Sequence, residues 1–194
     1  MVVILYVLFR PVSKTLSLVA AFARLAMTVI QDINLLNNFT ALQLLSGADY
    51  LKVFEPDQLH ALVLLFLNAH EFGAYVWEAF FGLLCIVLGY LLFKSGYFPR
   101  LLGVLMVFAS LGYLTDSFGN IIFPNYKEIF VWVVAVTAVI GELPFLFWLL
   151  LRGVNIQEWN NRAAASTAKM KVVMEEGIEA VSVTVDGGKD TKAN

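Results

Sequence analysis

The chain has 194 residues, of which 60% are hydrophobic and only 14% charged, with a net charge of −2 and a mean hydropathy of +0.78. Soluble domains carry about 45–50% apolar and about 25% charged residues, so this composition excludes a soluble globular protein. It also lacks the basic stripe needed to neutralise phosphates, which excludes nucleic acid and leaves the lipid bilayer as the expected partner.

A span needs about 20 residues, so the length accommodates one compact bundle of four to five helices and a polar tail. Met1 to Phe9 is apolar, but as a helix it reaches only about 14 Å, half of a roughly 30 Å hydrocarbon core. It has neither the basic start nor the small-residue cleavage site of a signal peptide, and Arg10-Pro11 closes it like the inner end of a longer helix. The expectation is a half-span, with the first residue falling inside a transmembrane helix.

Thr15 to Leu45 follows as a helical run interrupted by Arg24, Gln31, Asp32, Asn34, Asn37 and Asn38. It is longer than one perpendicular crossing, so its outer end should project or tilt. Arg24, Gln31 and Asn38 recur at sevenfold spacing on one stripe, which should face protein. Ser46 to Asp49 reads as a loop, and Asp57 is the expected N-cap of the next helix, Gln58 to Lys94. That helix carries His70, Glu71 and Glu78 where water is scarce. Glu71, Tyr75, Glu78, Gly82, Cys85 and Gly89 form a near-heptad stripe whose glycines permit close helix approach.

A turn at Ser95 to Arg100 leads into Leu101 to Phe123, a span with the single acid Asp116, closed by Pro124-Asn125-Tyr126. Lys127 to Arg152 is the last span, and Pro144, close to Glu142, should kink it. From Gly153 the composition turns polar and poor in aromatics. Residues 153–194 are expected as a cytoplasmic, mostly disordered tail, with 1–152 the bundle. Within the tail, Trp159 to Val173 has a weak interfacial-helix pattern, and Val181, Val183 and Val185 alternate as a strand would, without a visible partner.

Orientation follows from the cations near the span ends. Arg10, Lys14, Lys94, Arg100 and Arg152 gather on one face, whereas the other has Lys52 and Lys127 accompanied by Asp49, Glu55, Asp57 and Glu128. The first face is expected to be cytoplasmic. The protein then sits as a multi-pass protein in the cytoplasmic membrane of a bacterial cell, its C-terminus inside.

Depth can be counted from these anchors at about 1.5 Å per residue. Arg24 and Glu142 each come out about 15 Å deep, near the midplane, and are the expected buried ion pair. A lone charge there costs at least about 2.5–3.5 kcal/mol, which pairing relieves. The alternative to a functional pair is one that only fixes helix register. Asp32, Glu78 and Asp116 fall about 24–27 Å from the inner face, with His70 and Glu71 further out. Carboxylates that close cannot all ionise, so these five residues form a candidate polar or cation site, held by protons or by a cation. Interhelical hydrogen bonding or a wet vestibule would use the same residues.

Specific chemistry is otherwise sparse. His70-Glu71 begins like H-E-x-x-H, but Ala74 occupies the second histidine position, and His60 is the only other histidine, so no metal centre is expected. No nucleophile elbow, phosphate loop or dinucleotide fingerprint is present, so neither catalytic residues nor a cofactor are assigned. Asn38-Phe39-Thr40 matches a glycosylation sequon at the level of chance. Cys85 is the only cysteine, which leaves no intrachain disulfide.

Asn68-Ala69-His70, Phe81-Gly82, Leu88-Gly89-Tyr90, Ser95-Gly96-Tyr97, Pro99-Arg100, Gly112-Tyr113-Leu114, Asp116-Ser117-Phe118, Pro124-Asn125-Tyr126 and Ile140-Gly141-Glu142 stand in a pattern. Over Leu5 to Asn155 it resembles a bacterial integral-membrane family catalogued as domain of unknown function 4386. The resemblance implies six helices, one of them ahead of the position where this chain begins. It implies no activity, and it makes His70, Asp116 and Glu142 family positions while Glu78 is peculiar to this chain. Members carry a histidine near Leu84 that is absent here.

The fold expected is an all-α polytopic transmembrane bundle of four full spans plus an N-terminal half-span, with a disordered C-terminal tail. Its biochemical role is open between an ion-linked carrier using Asp32, Glu78 and Asp116, a lipid-acting intramembrane enzyme using His70 and Glu71, and a structural subunit.

Overall fold

The computed structural model describes residues 1–187. Its helices are α1 (Val2–Phe9), α2 (Lys14–Leu44), α3 (Pro56–Ser95), α4 (Arg100–Ile122), α5 (Lys127–Leu151) and α6 (Ile156–Gly187). Short 3-10 turns at Asp49–Val53 and Pro124–Tyr126 join α2 to α3 and α4 to α5. The chain is an all-α bundle in which α2, α3, α4 and α5 are long and apolar enough to cross a membrane and α1 is a half-span.

Successive long helices pack antiparallel in a row, α2 on α3, α3 on α4 and α4 on α5, with α1 against α2. Apolar burial cannot drive this association in lipid, so close backbone approach must. At the crossing of α3 and α4 a Cβ on Gly103 would lie 2.5 Å from the Gly89 carbonyl oxygen and 2.7 Å from the Phe93 nitrogen. On the other flank of α4, Gly141 of α5 sits against Ala109 and the Leu105 carbonyl. The Tyr75, Gly82, Cys85 and Gly89 part of the α3 stripe is buried, as the heptad spacing requires.

Helix α3 has 40 residues, about 60 Å of helix, and its buried positions begin at Tyr75. The outer third of α3 and the end of α2 therefore extend past a single crossing. The N-cap of α3 is Glu55 rather than Asp57. Glu55 and Gln58 form a reciprocal capping box around Pro56, whose ring needs no amide at that position.

The basic end is tied together by one carbonyl. Leu8 O, left without an intrahelical donor at the end of α1, accepts from Tyr97 Oη at 2.7 Å and from Trp159 Nε1 at 2.9 Å. Gly96, at φ 80°, ends α3 in the left-handed region and turns Tyr97 toward α1. Phe9 packs against the rings of Tyr97 and Phe98. Tyr97→Phe should cost about 0.5–1.5 kcal/mol in a detergent melt, and adding Trp159→Phe should cost more than the two single losses together, because the carbonyl is then orphaned.

The polar segment beyond residue 153 follows the bundle as α6. Its backbone is helical over Ile156–Gly187, and this includes the alternating valines; residues 188–194 lie outside the described residues. Arg162, the three alanines after it and Lys169 to Val173 suit a helix, and Trp159 anchors the first turn. Beyond that turn α6 is largely exposed.

Candidate functional site

Glu78 and Asp116 lie on α3 and α4, which pack directly on each other, and their carboxyls are neighbours across that interface. Such a contact becomes a bond only when a proton sits between the two groups. Asp116 is 4% exposed. Asn120, one turn along α4, donates to the Asp116 carboxylate at 3.0 Å and to its backbone carbonyl at 2.8 Å. Ser117 Oγ donates to the Tyr75 carbonyl at 2.6 Å, fixing α4 against α3 beside the pair. Two oxygens here, Glu78 Oε2 and Asn120 Oδ1, are buried without a hydrogen-bond partner, as is Gln31 Oε1 on α2. Buried acceptors left open in this way carry a cost of about 1–3 kcal/mol each that a proton or a cation removes.

Outward of the pair, Tyr75 Oη donates to Glu71 Oε1 at 2.6 Å, and Lys127 at the start of α5 forms a salt bridge to the same carboxylate. The bridge is half in water, so Lys127→Met should lower stability by at most about 1 kcal/mol, and the loss should shrink in high salt. A thermal melt at two ionic strengths measures both.

Of the five residues expected to share the outer level, only Glu78 and Asp116 meet. Asp32 is exposed. The buried stripe of α2 runs through Ala20, Met27, Asn34 and Ala41, and two residues from Asn34 on a 100° helix is the opposite face. His70 is held elsewhere. Its Nδ1 lies 3.2 Å from the Asn34 carbonyl, and Asn34 Nδ2 donates to the His70 carbonyl at 2.8 Å, a reciprocal clasp of α2 and α3. Glu71 is engaged by Lys127 and Tyr75, so the two groups offered as an acid/base pair serve different neighbours. Among the described residues no third acid, histidine or cysteine joins Glu78 and Asp116 in a metal-binding group.

Arg24 and Glu142 do not form the expected ion pair; no contact within salt-bridge distance joins them among the described residues. Glu142 instead accepts a hydrogen bond from Tyr113 Oη. The Arg24 guanidinium finds only the thioether sulfurs of Met27 at 3.7 Å and Met1 at 3.6 Å. Both side chains line one cavity of about 560 Å³, walled by α1, α3 and α5 residues including Leu8, Cys85 and Leu146. Trp77, Phe81 and Tyr113 pack in succession, with ring centroids 5.4 and 4.6 Å apart, and Phe81 also lines the cavity.

Asn120 and the Tyr113 to Glu142 bond were not singled out from the sequence. The first was detectable, since Asp116 and Asn120 are four apart on one helix; the second links two helices and left no local signal.

Antiparallel apolar helices around a few buried, mutually bonded polar groups define the class of multi-pass membrane proteins. Within that class, the chain belongs to the family described as Domain of unknown function (DUF4386), whose profile matches residues 1–153. An uncharacterized protein of Archaeoglobus fulgidus is similar to it, 31% identical over 156 residues that cover 80% of this chain and 76% of that protein. No solved structure matches the chain.

Proposed function

We propose that this chain is an ion-linked carrier of the cytoplasmic membrane, in which Glu78 and Asp116 together take up and release one proton. The observation that carries the reading is the contact of two carboxyls in a close-packed helix interface, with Glu78 Oε2 buried and unpartnered. Two such groups cannot both keep their charges at that range, so the pair stores one proton. With only two acids gathered there, a proton suits the site better than a divalent cation, which seeks six or more oxygens.

Polar groups continue on either side. Lys127, Glu71 and Tyr75 lead toward the acidic end of the bundle, and Tyr113, Glu142 and the cavity lead toward the basic end. Pro144 cannot donate to the Ile140 carbonyl, which leaves a weak point in α5 beside Glu142 where the helix can bend. The cation-rich ends of α1, α3 and α5 support a cytoplasmic C-terminus.

The test is proton entry into liposomes that contain the chain and a trapped pH indicator, after an acid pulse outside. The wild-type chain should acidify the lumen faster than Glu78→Gln/Asp116→Asn incorporated at equal density. Equal rates in the two would show that the pair only fixes helix register.

A further inference from the structure

We propose that the cavity between α1 and α5 binds a lipophilic organic anion, with its anionic head on Arg24 and its apolar body along the cavity walls. The site does not depend on the carrier reading, because neither Glu78 nor Asp116 lines it.

Arg24 is the observation that points to an anion. A guanidinium presents five donors in a fixed fork suited to a carboxylate or phosphate. Among the described residues no carboxylate lies within salt-bridge distance of it, and its side-chain partners are two thioethers at 3.6 and 3.7 Å, which are weak acceptors. A cation at this depth is costly unless something pairs with it. The one acid in the same cavity, Glu142, has an oxygen committed to Tyr113.

The rest of the lining specifies the body of the ligand. Apart from Arg24, Glu142 and Cys85 the walls are aliphatic and aromatic side chains. The volume of about 560 Å³ lies within the range of small-molecule sites, about 300–1,000 Å³. Counted at about 30 Å³ per water-sized group, it holds roughly twenty non-hydrogen groups. Helix α1 packs on α2 and α5 packs on α4, with the cavity between α1 and α5. Ile4 and Leu146, on its two sides, are 69% and 48% exposed. In a bilayer that gap faces acyl chains, so the ligand reaches the site from the membrane. A single-chain carboxylate and a single-chain phosphate share this chemistry.

The experiment measures saturable binding of radiolabelled laurate to the full chain in lipid nanodiscs. Dodecyl phosphate and methyl laurate serve as competitors. Laurate should bind, and Arg24→Met should weaken it about ten- to a hundredfold, as expected for loss of charge-assisted hydrogen bonds. This variant removes an unpaired charge from a transmembrane helix, so the fold should tolerate it. Leu146→Trp, which fills the cavity from its exposed side and keeps Arg24, should abolish binding. Competition by dodecyl phosphate at lower concentration than unlabelled laurate would support the proposal and assign the head as phosphate; the reverse order would support it and assign a carboxylate. Equal competition by methyl laurate, or wild-type affinity in either variant, would overturn it. Loss of proton entry in liposomes with laurate binding intact would remove the carrier reading alone.

Discussion

Gly103→Leu should unfold the bundle in detergent or lower its melting temperature by the largest margin of any single substitution in α4. The first added carbon would stand 2.5 Å from the Gly89 oxygen, 2.7 Å from the Phe93 nitrogen and 2.9 Å from the Phe93 Cβ. Non-bonded carbons settle at about 3.5–4.0 Å, and two of these three neighbours are backbone atoms that no rotamer change can move. The helices must therefore part along their whole contact. Overpacking by one or two methylenes costs about 1–3 kcal/mol in ordinary cores, and a leucine at this crossing should reach or exceed the upper figure. Separation of α3 from α4 also removes the Ser117 to Tyr75 bond and the meeting of Glu78 with Asp116. Leu111→Ala is the matching control. It is 57% exposed on the outer side of the same helix and should change stability by less than about 0.5 kcal/mol. A thermal melt of the two variants in the same detergent compares them.

The second large effect is an asymmetry at the carboxyl pair. Glu78→Gln should keep the fold, because an amide at that position can donate permanently to Asp116 where the native pair needs a proton. It should abolish the proton entry attributed to the pair. Asp116→Leu should instead destabilise the bundle by about 2–4 kcal/mol. It removes the carboxylate that receives Asn120, leaves Glu78 facing an apolar group, and does so where water cannot compensate. Asp116→Asn should fall between them, since the amide oxygen still accepts from Asn120. Melting temperatures and proton entry measured on all three variants distinguish a proton site, where Glu78→Gln loses proton entry at unchanged stability, from register glue, where stability falls and proton entry does not change.

The number of spans, their ends within a few residues, the half-span and the glycine stripe of α3 were legible because a bilayer forces long apolar runs and rewards small residues at interfaces. Depth was legible too, since 1.5 Å per residue from a cationic anchor is simple geometry. It puts Glu78 and Asp116 at one level, on helices that are neighbours. Depth alone does not give azimuth or neighbour order. Asp32 has the right depth and the wrong face of α2, a distinction that the Ala20, Met27, Asn34 and Ala41 stripe already carried. Arg24 and Glu142 reach one cavity without meeting, and nothing local in the sequence encodes that separation. The clasp of Asn34 and His70 was hidden for another reason: its acceptors are backbone carbonyls, which every residue has.

The most direct test of the account is infrared spectroscopy of the purified chain in lipid at neutral pH, following the carbonyl stretch of protonated carboxylic acids. The account expects one such band in the wild-type chain that disappears in Glu78→Gln and again in Asp116→Asn, because either substitution removes the partner with which the proton is shared. A spectrum without that band, or a band that survives both substitutions unchanged, would contradict a shared proton between Glu78 and Asp116.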